Sequence, residues 1–396
     1  MKIRHTLALS AALSAFTTPA FAQDAATQDE VPPAIDASEI VVTAVARGQN
    51  VLDSSVSVSS LNSEAIVDLA PRSSAELIRQ IPGIRSESSG GEGNANIAVR
   101  GLPVASGGAK FLQLQEDGLP ILEFGDITFG NADIFLRTDY SVARVEAVRG
   151  GSASTFASNS PGGVVNFISK TGTREGGSLG LTAGLDYREF RADFDYGGSI
   201  DADTTFHIGG FSHIGDGPRD VGYDGARGGQ IKANITRNFA NGYVRVYGKY
   251  LNDHSVAYLP NPVLVSGSDA DPTYTSIANF SINSDSLHSP NFRPITTLDQ
   301  ANQVETHNIN EGMHPKVLAG GIEAQFDIGA FTVTNRFRYA DISGAFVSPF
   351  PGSVTGAQAA ANAIGGPGSS LFYASGPQAG QIVANPATLG GNGLVA

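Results

Sequence analysis

Residues 144–172 read RVEAVRGGSASTFASNSPGGVVNFISKTG, and no other stretch constrains the fold as much. Two apolar, β-branched runs flank a loop of small residues, with Gly150, Gly151, Gly162 and Gly163 at the strand ends. Runs of this kind form strands, and glycines at their ends permit the chain to reverse. The expected product is a small sheet that must pack inside something else.

An α+β module precedes it. Residues 56–59 form a short strand. Ser63 is placed to cap a helix carrying Ile66 and Leu69, which Pro71 ends. Ser73 or Ser74 caps a second helix over residues 75–80, stopped before Pro82. Strands are expected over residues 97–102 and 111–115, and Asp117-Gly118 signals a hairpin turn.

From Gly177 the hydrophobic period becomes two. Phe190, Ala192, Phe194 and Tyr196 alternate with Arg191, Asp193 and Asp195, and Val244, Val246 and Gly248 with Arg245, Tyr247 and Lys249. Similar runs cover residues 179–187, 204–214, 230–239, 317–328 and 331–340. Most approach the ~9–11 residues of a tilted membrane strand. Short turns such as residues 239–242 alternate with long polar connections, of which residues 253–316 are the longest. The pattern gives about seven alternating strands, of a membrane barrel or of a soluble β-sandwich, and the asymmetry of loop lengths favours the barrel.

The start of the chain supplies an address. Lys2 and Arg4, the apolar residues 7–16 and the Ala20-Phe21-Ala22 ending make a secretory signal peptide over residues 1–22. No apolar run reaches the ~20 residues of a spanning helix, so a membrane location requires a β-barrel. The net charge of −13 argues against nucleic acid. With no cysteine, disulfides, thiolate catalysis and cysteine metal sites are excluded. No G-x-S-x-G elbow or phosphate-binding loop is present, and the chain is not expected to be an enzyme. Residues 23–38 read as an acidic flexible tail. Residues 39–44, EIVVTA, form a short β-branched run, either a docking peptide or the first strand of the module.

At Glu146, Arg149, Gly150, Gly162, Gly163, Val164, Val165, Asn166 and Phe167 the chain resembles the plug domain of TonB-dependent outer-membrane receptors. Ile81-Pro82-Gly83-Ile84 and residues 115–121 (QEDGLPI) are similar to two further turns of that family. The resemblance covers roughly residues 39–172. It implies a flexible tail with a TonB box (residues 23–44), a plug (45–172) and the start of a transmembrane barrel (173–396). The box is then Glu39, Ile40, Val41, Val42, Thr43 and Ala44, docked by TonB with its ExbB and ExbD motor. The implied function is energised uptake of a ferric siderophore, cobalamin, haem or oligosaccharide across a Gram-negative outer membrane. No resident cofactor is implied. Arg100 and Arg149 are implied to meet barrel carboxylates and hold the plug.

The full barrel of such plugged transporters has about 22 strands. The chain is therefore expected to carry an incomplete barrel, and to be a fragment or truncated receptor with no transport of its own as the alternative. A passive porin would lack the plug motifs, and a signal-transducing receptor would carry a further periplasmic domain before the box. His207 and His213 share one strand face, while His254, His288, His307 and His314 lie in or near the long connection. They are expected to be solvated loop or lumen residues rather than metal ligands. Phe124, Asp126, Phe129, Asp133 and Phe135 mark a plug segment for which core packing is the expected role.

Overall fold

The computed structural model describes residues 40–41, 43, 48–50, 57–88, 90–103, 108–123, 130–150, 157–259, 261–290, 292–374, 377–383 and 394–395, all within one compact unit, 40–396. Residues 1–38, over which a signal peptide and tail are expected, and Glu39, Val42, Ala44, Phe124, Asp126 and Phe129 lie outside the described residues.

The chain opens with a two-stranded pair, β1 (Ile40–Val41) on β2 (Gln49–Asn50). The plug follows. β3 (Val58–Asn62) leads into α1 (Ser63–Leu69), whose cap is Asn62 rather than Ser63: its Oδ1 accepts the Ala65 N–H at 2.9 Å. α2 (Ser74–Ile78) is capped by Ser73, whose hydroxyl accepts the Glu76 N–H at 3.3 Å. β4 (Ile84–Ser88) and β5 (Ala95–Val99) form a hairpin of their own. β6 (Leu112–Glu116) and β7 (Leu119–Pro120) are joined by Asp117 and Gly118, both at positive φ (53° and 79°), the turn conformation their types favour.

β8 (Val142–Arg149) and β9 (Gly163–Ser169) are the two strands read from residues 144–172, and they pair antiparallel. β9 also pairs in parallel with β6, giving the sheet order β3-β8-β9-β6-β7. Leu77, Ile78, Ile81, Leu112, Leu114, Val145, Ala147, Val165 and Phe167 pack the helices against this sheet, each almost fully buried. Burial of each large apolar side chain contributes about 1.5–3 kcal/mol, which is why the motif is apolar throughout.

The second part is an antiparallel sheet of seven strands: β10 (Gly176–Ala183), β11 (Glu189–Asp201), β12 (Thr204–Gly215), β13 (Ala226–Phe239), β14 (Gly242–His254), and, after four short strands, β19 (Met313–Ile328) and β20 (Phe331–Phe346). The short strands form two hairpins within the long connection, β15 (Leu264–Ser268) with β16 (Asp271–Thr275) and β17 (Pro294–Leu298) with β18 (Val304–Asn308). The connection is thus shorter and more structured than the sequence indicates, because β14 and β19 run further and meet at an isolated Ser255–Met313 bridge. A last helix, α3 (Ala357–Gly365), follows β21 (Thr355–Gly356), which pairs with β22 (Leu394–Val395).

Alternation decides which face does what. Phe190, Tyr196, Ile231, Ile235, Val246, Tyr250, Leu318, Ile322, Phe337 and Tyr339 are exposed on the outer face. Asp193, Asp195, His207, His213, Gln230, Lys249 and Glu323 are buried on the inner one. In water this face assignment would be inverted; in lipid it is the stable one. Phe239 and Phe326, with ring centroids 5.8 Å apart, stand beside the short turns, where barrels place an aromatic girdle. The outer strands β10 and β20 have no further partner in this sheet among the described residues, so the barrel is open and incomplete.

Candidate functional site: the plug against the barrel wall

The inner face of the seven-stranded sheet carries the plug, and buried charges form the contact. Glu116 ends β6 at the Asp117-Gly118 turn. Its carboxylate meets Lys232 of β13 at 2.9 Å and Lys249 of β14 at 3.1 Å, all three nearly sealed from solvent. Lys232 also donates to Ser169 Oγ at 2.8 Å, and Lys249 to the Phe135 carbonyl at 3.3 Å. Burial by itself pushes the Glu116 carboxyl up, but the two ammonium groups outweigh it and hold the group below the carboxylate range.

A second buried contact lies one plug segment away. Arg137 Nε meets Asp253 Oδ2 at 2.7 Å, with the side chains 4% and 0% exposed, and His213 Nε2 approaches the other Asp253 oxygen at 2.6 Å. Gln230 donates to Asp139 at 2.7 Å, and Arg191 to the Thr138 carbonyl at 2.7 Å. Lys170 pairs with Asp195 at 2.9 Å, and His207 reaches the same carboxylate at 3.1 Å. His207 and His213 do share a face, as the sequence indicates, but they are buried against charged partners rather than solvated. The chain crosses from plug to wall at Gly172, where φ is +74° and any Cβ would meet the Phe206 carbonyl.

The two ends of this interface differ. At the long-connection end, a cleft of about 440 Å³ is lined by Arg72, Glu76, Glu92, Arg219, Tyr258 and Asn261. At the short-turn end a larger one, about 1070 Å³, is lined by Thr43, Arg144, Arg174, Tyr243, Glu323 and Arg336 among others. Thr43 is docked there. Its N–H donates to Glu146 Oε2 at 2.9 Å, and its hydroxyl accepts from Asn166 Nδ2 at 3.0 Å. Glu146 is fully buried and also holds Arg144 at 2.8 Å.

Among the described residues neither Arg100 nor Arg149 forms an ion pair with a carboxylate. Arg149 donates to the Pro82 carbonyl and, at 3.1 Å, to Ser57 Oγ. Burial, then the neighbouring Arg100 charge, lowers its pKa. Asp133 is buried in the plug, accepting the Ala95 N–H at 2.8 Å, and burial raises its pKa to about 6. Phe135 packs against the plug core and against Leu251, Val317 and Ala319 of the wall. The sequence did not single out Glu116, Lys232, Lys249, Arg137 or Asp253. The available signal was strand parity: Lys232 and Lys249 lie on polar faces, opposite the apolar outer residues.

This arrangement, a small α+β domain seated on the polar face of lipid-type strands, is that of a plugged membrane barrel. The family described as TonB-dependent Receptor Plug Domain matches residues 50–164. Over 242 residues the chain is 28% identical to the vitamin B12 transporter BtuB of Photobacterium profundum, covering 59% of the chain and 36% of that protein. It is 26% identical over 345 residues to the ferric enterobactin receptor of Pseudomonas aeruginosa, covering 74% of the chain and 44% of that protein. In fold it is similar to the ferric yersiniabactin uptake receptor FyuA of Yersinia pestis, with a TM-score of 0.52 at 16% identity, and to the ferric citrate transporter FecA, with 0.53 at 16%. Each likeness covers 76% of the chain and 42% of the solved one. Residues 50–164 thus carry the plug domain of TonB-dependent receptors, and the chain spans less than half the length of these relatives. The family is one of receptors and transporters.

Proposed function

We propose that the chain is the plug-bearing part of an outer-membrane receptor that takes up a scarce ligand by TonB-driven transport. The ligand class is a ferric siderophore or cobalamin, by analogy with the relatives' names. The observation that carries this reading is the polarity of the interface: a cleft under the long connections at one end, and the docked Thr43 at the other.

In this reading the plug spans residues 45–172 and residues 39–44 are the box. TonB adds a strand to the box through backbone pairing. Ligand binding at the cleft and force on the box act on the same plug, which Glu116 and Arg137 otherwise anchor to the wall. Burial and the neighbouring Arg100 charge disfavour the charge of Arg149, which supports a carboxylate partner for it on the rest of the wall. Uptake is then an activity of the closed barrel, since two open strand edges are not tolerated in hydrocarbon.

The test is a photo-crosslinker at Val42 of the complete receptor. On this reading it captures TonB, and more strongly when ligand is added. Capture of other periplasmic proteins but not TonB contradicts the box.

A further inference from the structure

His254 closes β14 and His314 lies at the start of β19, so neighbouring strand ends bring the two rings together. Their centroids are 3.5 Å apart, with planes 27° from parallel. Glu311 sits in the short helical turn Ile309–Glu311 just before β19. One donor atom from each of the three residues lies within 4.8 Å of the others. Glu311 and His314 are three residues apart, and Gly312, at φ +57°, lets the intervening chain turn back.

The hydrogen bonding leaves a position for a cation. His314 Nδ1 faces Glu311 Oε2 at 2.9 Å, and its Nε2 faces Asn252 Oδ1 at 2.9 Å. Both neighbours are acceptors, whereas a neutral imidazole has only one N–H to give. A metal ion between His314 Nδ1 and the Glu311 carboxylate would take the place of a ring proton and recruit a nitrogen of His254, whose Nδ1 also faces the Glu311 carbonyl at 3.1 Å.

We propose that His254, His314 and Glu311 form a binding site for a divalent transition metal of the zinc type, at the rim where the long connection rejoins the wall. Two imidazoles and one carboxylate are a donor set such ions accept, with a further position left for water. Coordination at ~2.0–2.1 Å requires the stacked rings to turn about their Cβ–Cγ bonds until the nitrogens converge. A cleft of about 410 Å³ lined by Glu311, His314, His307 and Lys316 provides access. The ion would tie the end of the connection (residues 255–312) to β14 and β19 together. The site is independent of which ligand the receptor transports.

The test uses the complete receptor in detergent micelles, titrated with Co2+ alone and then with Zn2+. A low-coordinate Co2+ absorption spectrum saturating near one ion per chain, displaced by Zn2+, is expected. His254→Ala and His314→Ala weaken binding at least roughly tenfold, as does the near-isosteric Glu311→Gln, which keeps the fold testable if the histidine variants misfold. His307→Ala, on the cleft wall outside the donor set, leaves binding unchanged. Zn2+ also slows proteolysis within residues 255–312 of the parent and not of Glu311→Gln. The proposal is overturned if Co2+ binding does not saturate, if Glu311→Gln binds as tightly as the parent, or if His307→Ala abolishes the spectrum.

Discussion

Glu116 is the residue on which the plug's seat on the wall most depends. Its carboxylate neutralises two lysines that have no other anion within hydrogen-bonding reach among the described residues. Removing one partner of a buried ion pair costs about 3–5 kcal/mol, because the other charge is left desolvated. Glu116→Gln in the complete receptor is expected to lose about that much in the free energy of plug release, read by urea titration of plug protection. Lys232→Met alone, which leaves Lys249 paired, is expected to cost less. Since the Glu116 pKa is depressed in the fold, its contribution is present above the ordinary glutamate pKa and fades as pH falls below it. Asp133 has the opposite sign. Its folded pKa of about 6 lies above the value of 3.8 for an unburied carboxyl, so stability falls as pH rises from about 4 to 6. Asp133→Asn, which can still accept the Ala95 N–H, should flatten a pH–stability profile over that window; an unchanged slope would mean that another group titrates there.

At the scale of elements, the legible features were those set by local chemistry. Asp117-Gly118 specified its hairpin through two positive φ values, and the period of two placed Phe190 and Asp193 on opposite faces. The strand pair of residues 144–172 was readable from its glycine-bounded apolar runs. The parallel pairing of β6 with β9 was not, because no turn fixes a register between strands so far apart in the chain. Nor were the partners of Glu116 and Arg137, since ion pairs over more than 100 residues leave only face parity as a signal. The seating of Thr43 has the same origin: the Glu146 and Asn166 that hold it belong to the very strands that define the plug motif. This latch predicts a measurable asymmetry. Thr43→Val removes the side-chain hydrogen bond to Asn166 but keeps the backbone bond to Glu146, a loss of about 0.5–1.5 kcal/mol. It should raise the protease sensitivity of residues 39–50 several-fold without changing the plug core. If sensitivity is unaltered, the latch does not hold the segment.

For the whole molecule, the open sheet and the seated plug make one statement. Seven strands present a lipid-type outer face but cannot close, and the plug covers the inner face that would otherwise line a lumen. The 396-residue chain alone is therefore expected to yield no conducting pore and no heat-modifiable outer-membrane band. A protease-resistant barrel built only from this chain would refute that. The central claim, that force on residues 39–44 drives uptake through the plug, is tested most directly by Val41→Pro in the complete receptor. Proline removes a backbone donor that strand addition needs and fixes φ. Uptake and surface binding of a labelled ferric siderophore or cobalamin are measured in the same cells. The account predicts that binding persists while uptake falls to the level of cells lacking TonB; normal uptake by Val41→Pro would contradict it.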